Sequence, residues 1–224
     1  MNHKEKKELI AYLAQHVTPN KVEKIDTALR NRTRHVTVVL EDLFQEHNAS
    51  AVVRSTECFG LQDLHVIESR NTFNLNSGVD MGSSKWLDIN QYKTTEQCYA
   101  SLKARGYRIV ATTFHPDAQS LPNLPLANKL ALVFGTEYDG LTEYALEHAD
   151  EFMTIPMYGF TQSFNVSVSV AISLYQITSS LHSSSLDWHL SQEEIDDVKL
   201  CWYRRVVRAS DELEKLYWAQ KVNE

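Results

Sequence analysis

Cysteine is scarce and poorly placed for chemistry. Cys58, Cys98 and Cys201 are odd in number, lie far apart and form no zinc pattern, so the expectation is free thiols in a reducing compartment. No run of about 18 apolar residues exists, which excludes a helical membrane span. Met1 to Ile10 is lysine-rich and polar and lacks the apolar centre of a signal peptide, so a cytoplasmic protein is expected. No internal repeat is present. A phosphate-binding P-loop is excluded too: Gly135 and Gly140 have a suggestive spacing, but no Lys-Ser/Thr follows the second glycine. No constellation of His, Cys, Asp and Glu suggests a metal site, and none is expected. A net basic charge is also lacking, since the chain carries −7.

That negative sum hides an uneven distribution. Residues 1–35 hold eight Lys/Arg against four Asp/Glu, whereas residues 36–200 hold nine against twenty-one. Arg204, Arg205 and Arg208 then cluster beside Trp202 and Tyr203. Basic character at both ends flanks an acidic middle. Taken alone, these clusters suit solvated helix faces as well as an RNA footprint.

At 224 residues the chain is long enough for one domain with helical extensions. Apolar periodicity predicts helices from Lys4 to Gln15 and from about Asn20 to Leu29. Val36 to Leu40 is a β-branched apolar run, expected as a buried strand. A helix follows from Ala49 to Phe59, with Asn48 placed to cap it and Gly60 to end it. Further strands are expected at Leu64–Ile67, Leu87–Tyr92, Tyr107–Thr112, Leu130–Phe134 and Phe152–Ile155. Asn71 to Lys85 is expected as a long loop. Thr94 with Gln97 has the spacing of a capping box and opens a helix that stops at Gly106. A proline-containing loop separates the strands ending at Thr112 and beginning at Leu130. A short helix near Thr142–Glu147 precedes the last strand. A long helix after Asn165, an exit loop at Ser179–Ser185 and one terminal helix from Glu193 to Val222 complete the expectation. Strands alternating with helices predict an α/β fold with a mainly parallel sheet and helices on both faces. Periodicity gives no sign of a knot, because chains rarely thread loops.

Three segments carry chemistry. The first is His47-Asn-Ala-Ser-Ala-Val-Val-Arg54-Ser55, between strand and helix. A lone Arg54 is ordinarily a surface residue that pairs locally. The second is Leu132-Val-Phe-Gly-Thr-Glu-Tyr-Asp-Gly-Leu-Thr142, a strand ending in a glycine turn, where open α/β sheets bind ligands. The third is Ile155-Pro-Met-Tyr-Gly-Phe-Thr-Gln-Ser-Phe-Asn-Val-Ser-Val-Ser169. Its proline favours extended backbone before it, its glycine permits a turn, and its Ser-Phe-Asn offers a helix cap. By shape alone this last segment is equally a strand, a turn and a buried helix.

In this order and spacing, over residues 36–178, the three segments resemble the motifs of the SpoU (TrmH-like) RNA ribose methyltransferases. The resemblance implies a SPOUT-type fold with a deep C-terminal trefoil knot, S-adenosyl-L-methionine as cofactor, and a homodimer with the active site formed across it. It divides the chain into a basic helical extension (1–35), the methyltransferase domain (36–178) and a second helical extension (179–224). It makes Arg54 the residue at the reacting ribose, with Asn48, Glu137, Ser163 and Asn165 as the polar groups around it. It assigns Thr112, Gly135, Ile155, Met157 and Phe164 to the cofactor; leucine is common in the family where Phe164 stands. The extensions resemble those that grip transfer RNA, which implies phosphate contacts from Arg30, Arg32, Arg34, His47, Arg204, Arg205 and Arg208. The implied activity is 2′-O-methylation of guanosine 18 in the D-loop of tRNA. An rRNA methyltransferase of the same superfamily, or an RNA-binding homologue that has lost catalysis, are the alternatives.

Overall fold

The computed structural model describes residues 1–222. Along the chain run α1 (His3–Ala14), α2 (Pro19–Arg30), β1 (Val36–Glu41), α3 (Glu46–Cys58), β2 (Asp63–Ile67), α4 (Ser77–Asp80), β3 (Asp88–Tyr92) and α5 (Thr95–Ala104). After them come β4 (Arg108–Thr112), β5 (Gln119–Ser120), β6 (Leu130–Phe134), α6 (Glu143–Glu147), β7 (Glu151–Thr154), α7 (Val166–His182), α8 (Gln192–Val206) and α9 (Ser210–Val222). Two compact units result, one from Thr33 to Trp188 and one from Met1–Arg32 together with the chain from His189 onward.

The first unit is built on a seven-stranded sheet in the order β3-β2-β1-β6-β4-β7-β5, every pair parallel. β1 is buried along its whole length, as expected of a strand covered on both faces. Alternation of side chains divides the core in two. Val36, Val38 and Leu40 join Leu130, Leu132 and Phe134 against Val52 and Val53 of α3 and Val170, Leu174 and Ile177 of α7. On the other face, Val39, Ala131 and Val133 pack with Cys98, Tyr99 and Leu102 of α5 and Ala145 of α6. Each such leucine or valine contributes about 1.5–3 kcal/mol on burial. Helices therefore cover both faces, as the alternation of elements predicts.

In the second unit, α1 packs on α8 and α9, and α2 packs on α8. Leu9, Ile10 and Leu13 form the buried face of α1. Capping boxes at Asn2 and Ser191 open α1 and α8. The helices near the two ends of the chain thus fold onto each other as one helical unit. Among the described residues no helix is long and apolar enough to cross a membrane.

Several expectations need correction. Gln45, not Asn48, is the N-cap of α3, and it makes no side-chain cap bond. Asn48 lies inside the first turn, its amide turned to another partner. Gly60, with φ of 79°, does end that helix. The segment from Asn71 to Lys85 is not a plain loop. Buried Asp80 accepts the Ser84 N–H and hydroxyl, both at 2.9 Å, and organises α4 and a 3-10 turn at Ser83–Trp86. The proline-containing loop holds the short strand β5, paired with β7. The exit loop at Ser179–Ser185 starts later than expected, because Leu181 continues the buried series Val170, Leu174, Ile177 and keeps α7 helical to His182. The single terminal helix is two: Val207 is extended and Ala209 has φ of 55°, which turns α9 back to pack on α1. There the Tyr12 and Tyr217 rings lie 5.0 Å apart.

Candidate active site

A cavity of about 420 Å³ opens at the carboxyl edge of the sheet, where β4, β6 and β7 end and α7 begins. Loops at this edge are where open parallel sheets place ligands. Thr112 comes from the end of β4, Gly135 and Glu137 from the loop after β6, Ile155 and Met157 from the segment after β7, and Ser163 and Phe164 from the approach to α7; all seven line the cavity. Phe114, Tyr138, Asp139, Gln162 and Ser169 line it as well. Gln162 and Ser169 sit inside the third segment and were within reach of the sequence. Phe114 lies in a loop with no pattern to mark it.

The loop after β6 is held tightly. Thr136 N–H donates to the Gly140 carbonyl at 2.9 Å, and Gly140 N–H returns a bond to the Thr136 carbonyl at 3.2 Å. The Gly140 backbone passes so close to Gly135 that a Cβ there would collide with it and with the Leu141 nitrogen. Gly135 is therefore a steric requirement of the turn. At the adjoining strand, the Thr112 hydroxyl donates to the Val133 carbonyl, tying β4 to β6 beside the cavity.

Three polar side chains link the three segments. Asn48, only 3% exposed, donates from Nδ2 to Glu137 Oε1 at 2.5 Å and to Gln45 Oε1 at 3.1 Å. Its Oδ1 accepts from Asn165 Nδ2 at 3.1 Å. Asn165 in turn caps α7, its Oδ1 accepting the Ser167 N–H at 2.9 Å and the Ser167 hydroxyl at 2.6 Å. Asn48 is thus the joint between a carboxylate on the cavity wall and the cap of the helix that closes it. A buried amide with both ends occupied fixes its neighbours in place. Gln45, which shares the Asn48 amide, was missed by the sequence reading because nothing in its spacing marks it.

Arg54 stands on the exposed face of α3 and does not line the cavity. Among the described residues it has no hydrogen bond or ion pair, so its guanidinium is uncommitted.

The expected phosphate contacts are placed unequally. His47 is exposed beside Asn48. Arg30 is exposed and donates to Thr27 Oγ1 at 2.9 Å. Arg205 and Arg208 are exposed. Arg204 is held by Glu214 through two bonds, of 2.7 and 2.8 Å. Arg34 is half-buried between two carboxylates, Nη2 at 2.7 Å from Asp88 and Nε at 3.3 Å from Asp63. Arg32 must be withdrawn: it is 2% exposed, with its guanidinium 5.1 Å from the centre of the Trp202 ring. It serves the packing of the helical unit and presents nothing to a phosphate. Trp202 and Tyr203 are buried as well, so the aromatic residues beside the arginines belong to the core.

The chain is similar to known proteins in sequence and in fold. The SpoU rRNA Methylase family matches residues 35–175. A tRNA (guanosine(18)-2′-O)-methyltransferase from Borreliella burgdorferi is 44% identical over 207 residues, covering 92% of this chain and 95% of the relative. A protein of the same description from Thermus thermophilus is 35% identical over 156 residues, 68% of this chain and 79% of the relative. Among solved structures, the Aquifex aeolicus TrmH/SpoU tRNA modifying enzyme superposes with a TM-score of 0.74 at 30% identity, over 84% of this chain and 98% of that one. The SpoU methyltransferase AviRb of Streptomyces viridochromogenes, solved with its cofactor AdoMet, shares the fold with a TM-score of 0.62 at 18% identity, over 70% of this chain and 65% of that one. With all three segments inside the matched region and the parallel sheet behind them, this chain belongs to the SpoU rRNA methylase family.

Proposed function

We propose that this chain is an S-adenosyl-L-methionine-dependent RNA ribose 2′-O-methyltransferase that acts on guanosine 18 in the D-loop of tRNA. What carries this is the 44% identity over 92% of the chain to a tRNA (guanosine(18)-2′-O)-methyltransferase, and the Asn165–Asn48–Glu137 bridge at the edge of the 420 Å³ cavity supports it by drawing the three segments into one site. The cavity volume suits a nucleoside-sized ligand, and its wall mixes apolar Met157 and Phe164 with Thr112 and Ser163. S-adenosyl-L-methionine supplies a methyl group on a sulfonium.

The protein's part is placement of the acceptor. Transfer to a ribose oxygen requires in-line approach, so positioning is a large share of catalysis. The hydroxyl also needs a partner for its proton. Arg54, which does not line the cavity of its own chain, is assigned to engage the 2′-hydroxyl and the adjoining phosphate across the homodimer, a task for which a protonated, forked guanidinium is suited. Asn48 holds Glu137 against the wall, and Ser163 and Asn165 orient groups at the mouth. The 2′-hydroxyl is also what distinguishes RNA from DNA. His47, Arg30, Arg205 and Arg208 are assigned to the phosphates of the transfer RNA.

The same reading includes a deep trefoil knot in the C-terminal part of the methyltransferase domain, a homodimer and a cytoplasmic location. Support for the homodimer comes from α7 and the segment before it. Val168 and Tyr175 are exposed on the helix, and Tyr158 and Phe160 are almost wholly exposed ahead of it, large apolar side chains of the kind that associating chains bury.

The test is transfer of labelled methyl groups to unmodified tRNA and rRNA, with the product mapped by nuclease digestion. The expected result is 2′-O-methylguanosine in tRNA, lost in Arg54→Ala. Label confined to rRNA would replace the substrate assignment. Base methylation, or no transfer to either RNA, would overturn the reading.

A further inference from the structure

The acidic pair that ends β1 takes no part in the site as described, yet both residues are 1% exposed. A buried carboxylate is costly unless its oxygens are occupied. Those of Glu41 are well occupied. The Thr95 hydroxyl donates to Oε1, as does the Thr142 hydroxyl at 2.8 Å, while Thr142 N–H donates to Oε2 at 2.9 Å. Thr142 is the residue at which the loop after β6 ends and α6 begins, and its Oγ1 also accepts the Ala145 N–H at 3.2 Å.

Asp42 acts on the same loop from another point. It has φ of 53°, in the left-handed region where a non-glycine residue persists only when its surroundings hold it. Its Oδ1 accepts the N–H groups of Arg70 at 2.7 Å and Asn71 at 3.3 Å, and its carbonyl accepts Asn71 Nδ2 at 2.8 Å. The Arg70 guanidinium, with Nε 3.4 Å from Asp42 Oδ2, then places Nη1 3.7 Å from Asp139 Oδ2. Consecutive residues therefore grip one loop, Glu41 at Thr142 and Asp42 at Asp139 through Arg70. That loop carries Glu137 and forms a wall of the cavity.

We propose that Glu41 and Asp42 are positioning residues that set the 135–142 loop for cofactor binding, with Glu41 the dominant member. The ranking follows from burial. The Glu41 bonds are shielded from water, whereas Arg70 and Asp139 are more than half exposed as side chains and pair weakly. The proposal rests on the cofactor reading of the cavity and deepens it.

Titration calorimetry with S-adenosyl-L-methionine tests it, run on the full chain with thermal midpoints measured alongside. Glu41→Gln removes the charge and turns an amide donor toward the Thr95 and Thr142 hydroxyls, and Thr142→Val deletes the hydroxyl bonds at a half-buried position where folding is less at risk. Both are expected to bind the cofactor about tenfold or more weakly, the scale of a lost bond to a charged group. Thr142→Ser keeps the hydroxyl and is expected to stay within about twofold of wild type, and Arg70→Gln within about fivefold. A role in stability alone would lower the midpoints and leave the affinity of the folded variants unchanged. Thr142→Val binding as tightly as Thr142→Ser would overturn the proposal, even if Glu41→Gln failed to fold. Wild-type protein without affinity for the cofactor would overturn the assignment of the cavity and this proposal with it.

Discussion

Asn48 shows what one side chain decides at this site. Its amide offers a donor to Glu137 and an acceptor to Asn165, and no other neutral residue of that length offers both. Asn48→Ala leaves the Glu137 carboxylate without its donor, and methyl transfer is expected to fall on the order of 10²-fold, the loss associated with a misplacement of about 1 Å. Asn48→Asp should be worse, because it sets a second carboxylate against Glu137. Single-turnover rates measure both, and an Asp variant faster than the Ala variant would contradict this geometry. His65 gives a separate prediction, about stability. It is fully buried on β2, with Nδ1 3.1 Å from the Tyr92 hydroxyl, and burial, reinforced by the charge of Arg105, pushes its pKa down from 6.5 to about 3. The unfolded chain takes up this proton near 6.5, whereas the folded chain takes it up only near 3. Stability from this group is therefore complete above pH 6.5 and is lost as the pH falls toward 3, at up to about 1.4 kcal/mol per pH unit. His65→Gln should flatten the stability profile in that window in chemical denaturation; an unchanged slope would refute the assignment.

Elements differ in how plainly the sequence announces them. Val36–Leu40 and Leu130–Phe134 are largely apolar runs buried on both sides, and such strands can be recognised without tertiary knowledge. The end of α3 at Gly60 is equally legible, since a left-handed residue is needed there. The break between α8 and α9 was not. Arg208-Ala209-Ser210 contains no helix breaker, and the turn exists because α9 gains its partner in α1, far away in sequence. Asn48 failed as a cap for a similar reason: its partner Glu137 lies 89 positions on. The segments that carry the site were legible as strings, and the cavity gathers seven of the expected site residues, six of them from the second and third segments. The bonds among them were not legible, because they depend on which strands are neighbours. The loop after β6 makes the clearest element-scale prediction. Gly135→Ala forces a Cβ into the Gly140 backbone and should destabilise the protein by about 1–3 kcal/mol while weakening cofactor binding. A variant with the wild-type denaturation midpoint and affinity would show that the loop does not need this close approach.

For the molecule as a whole, charge is the feature that sequence alone left hardest to interpret. The sum of −7 falls on the sheet unit, with nine Lys/Arg against seventeen Asp/Glu, whereas the helical unit, with thirteen against twelve, is close to neutral. That unit leaves Arg30, Arg204, Arg205 and Arg208 exposed, with Arg204 bound to Glu214, while it buries Arg32. A count of basic residues therefore overstates what is offered to RNA, and only the folded arrangement shows which cations are presented. The central claim is that the chain methylates the 2′-oxygen of guanosine 18. The most direct test compares two otherwise identical tRNA transcripts, one with guanosine at position 18 and one with 2′-deoxyguanosine there, for uptake of labelled methyl. Label in the first and none in the second is the predicted result; equal label in both would contradict the claim, because the methyl group would then have gone elsewhere.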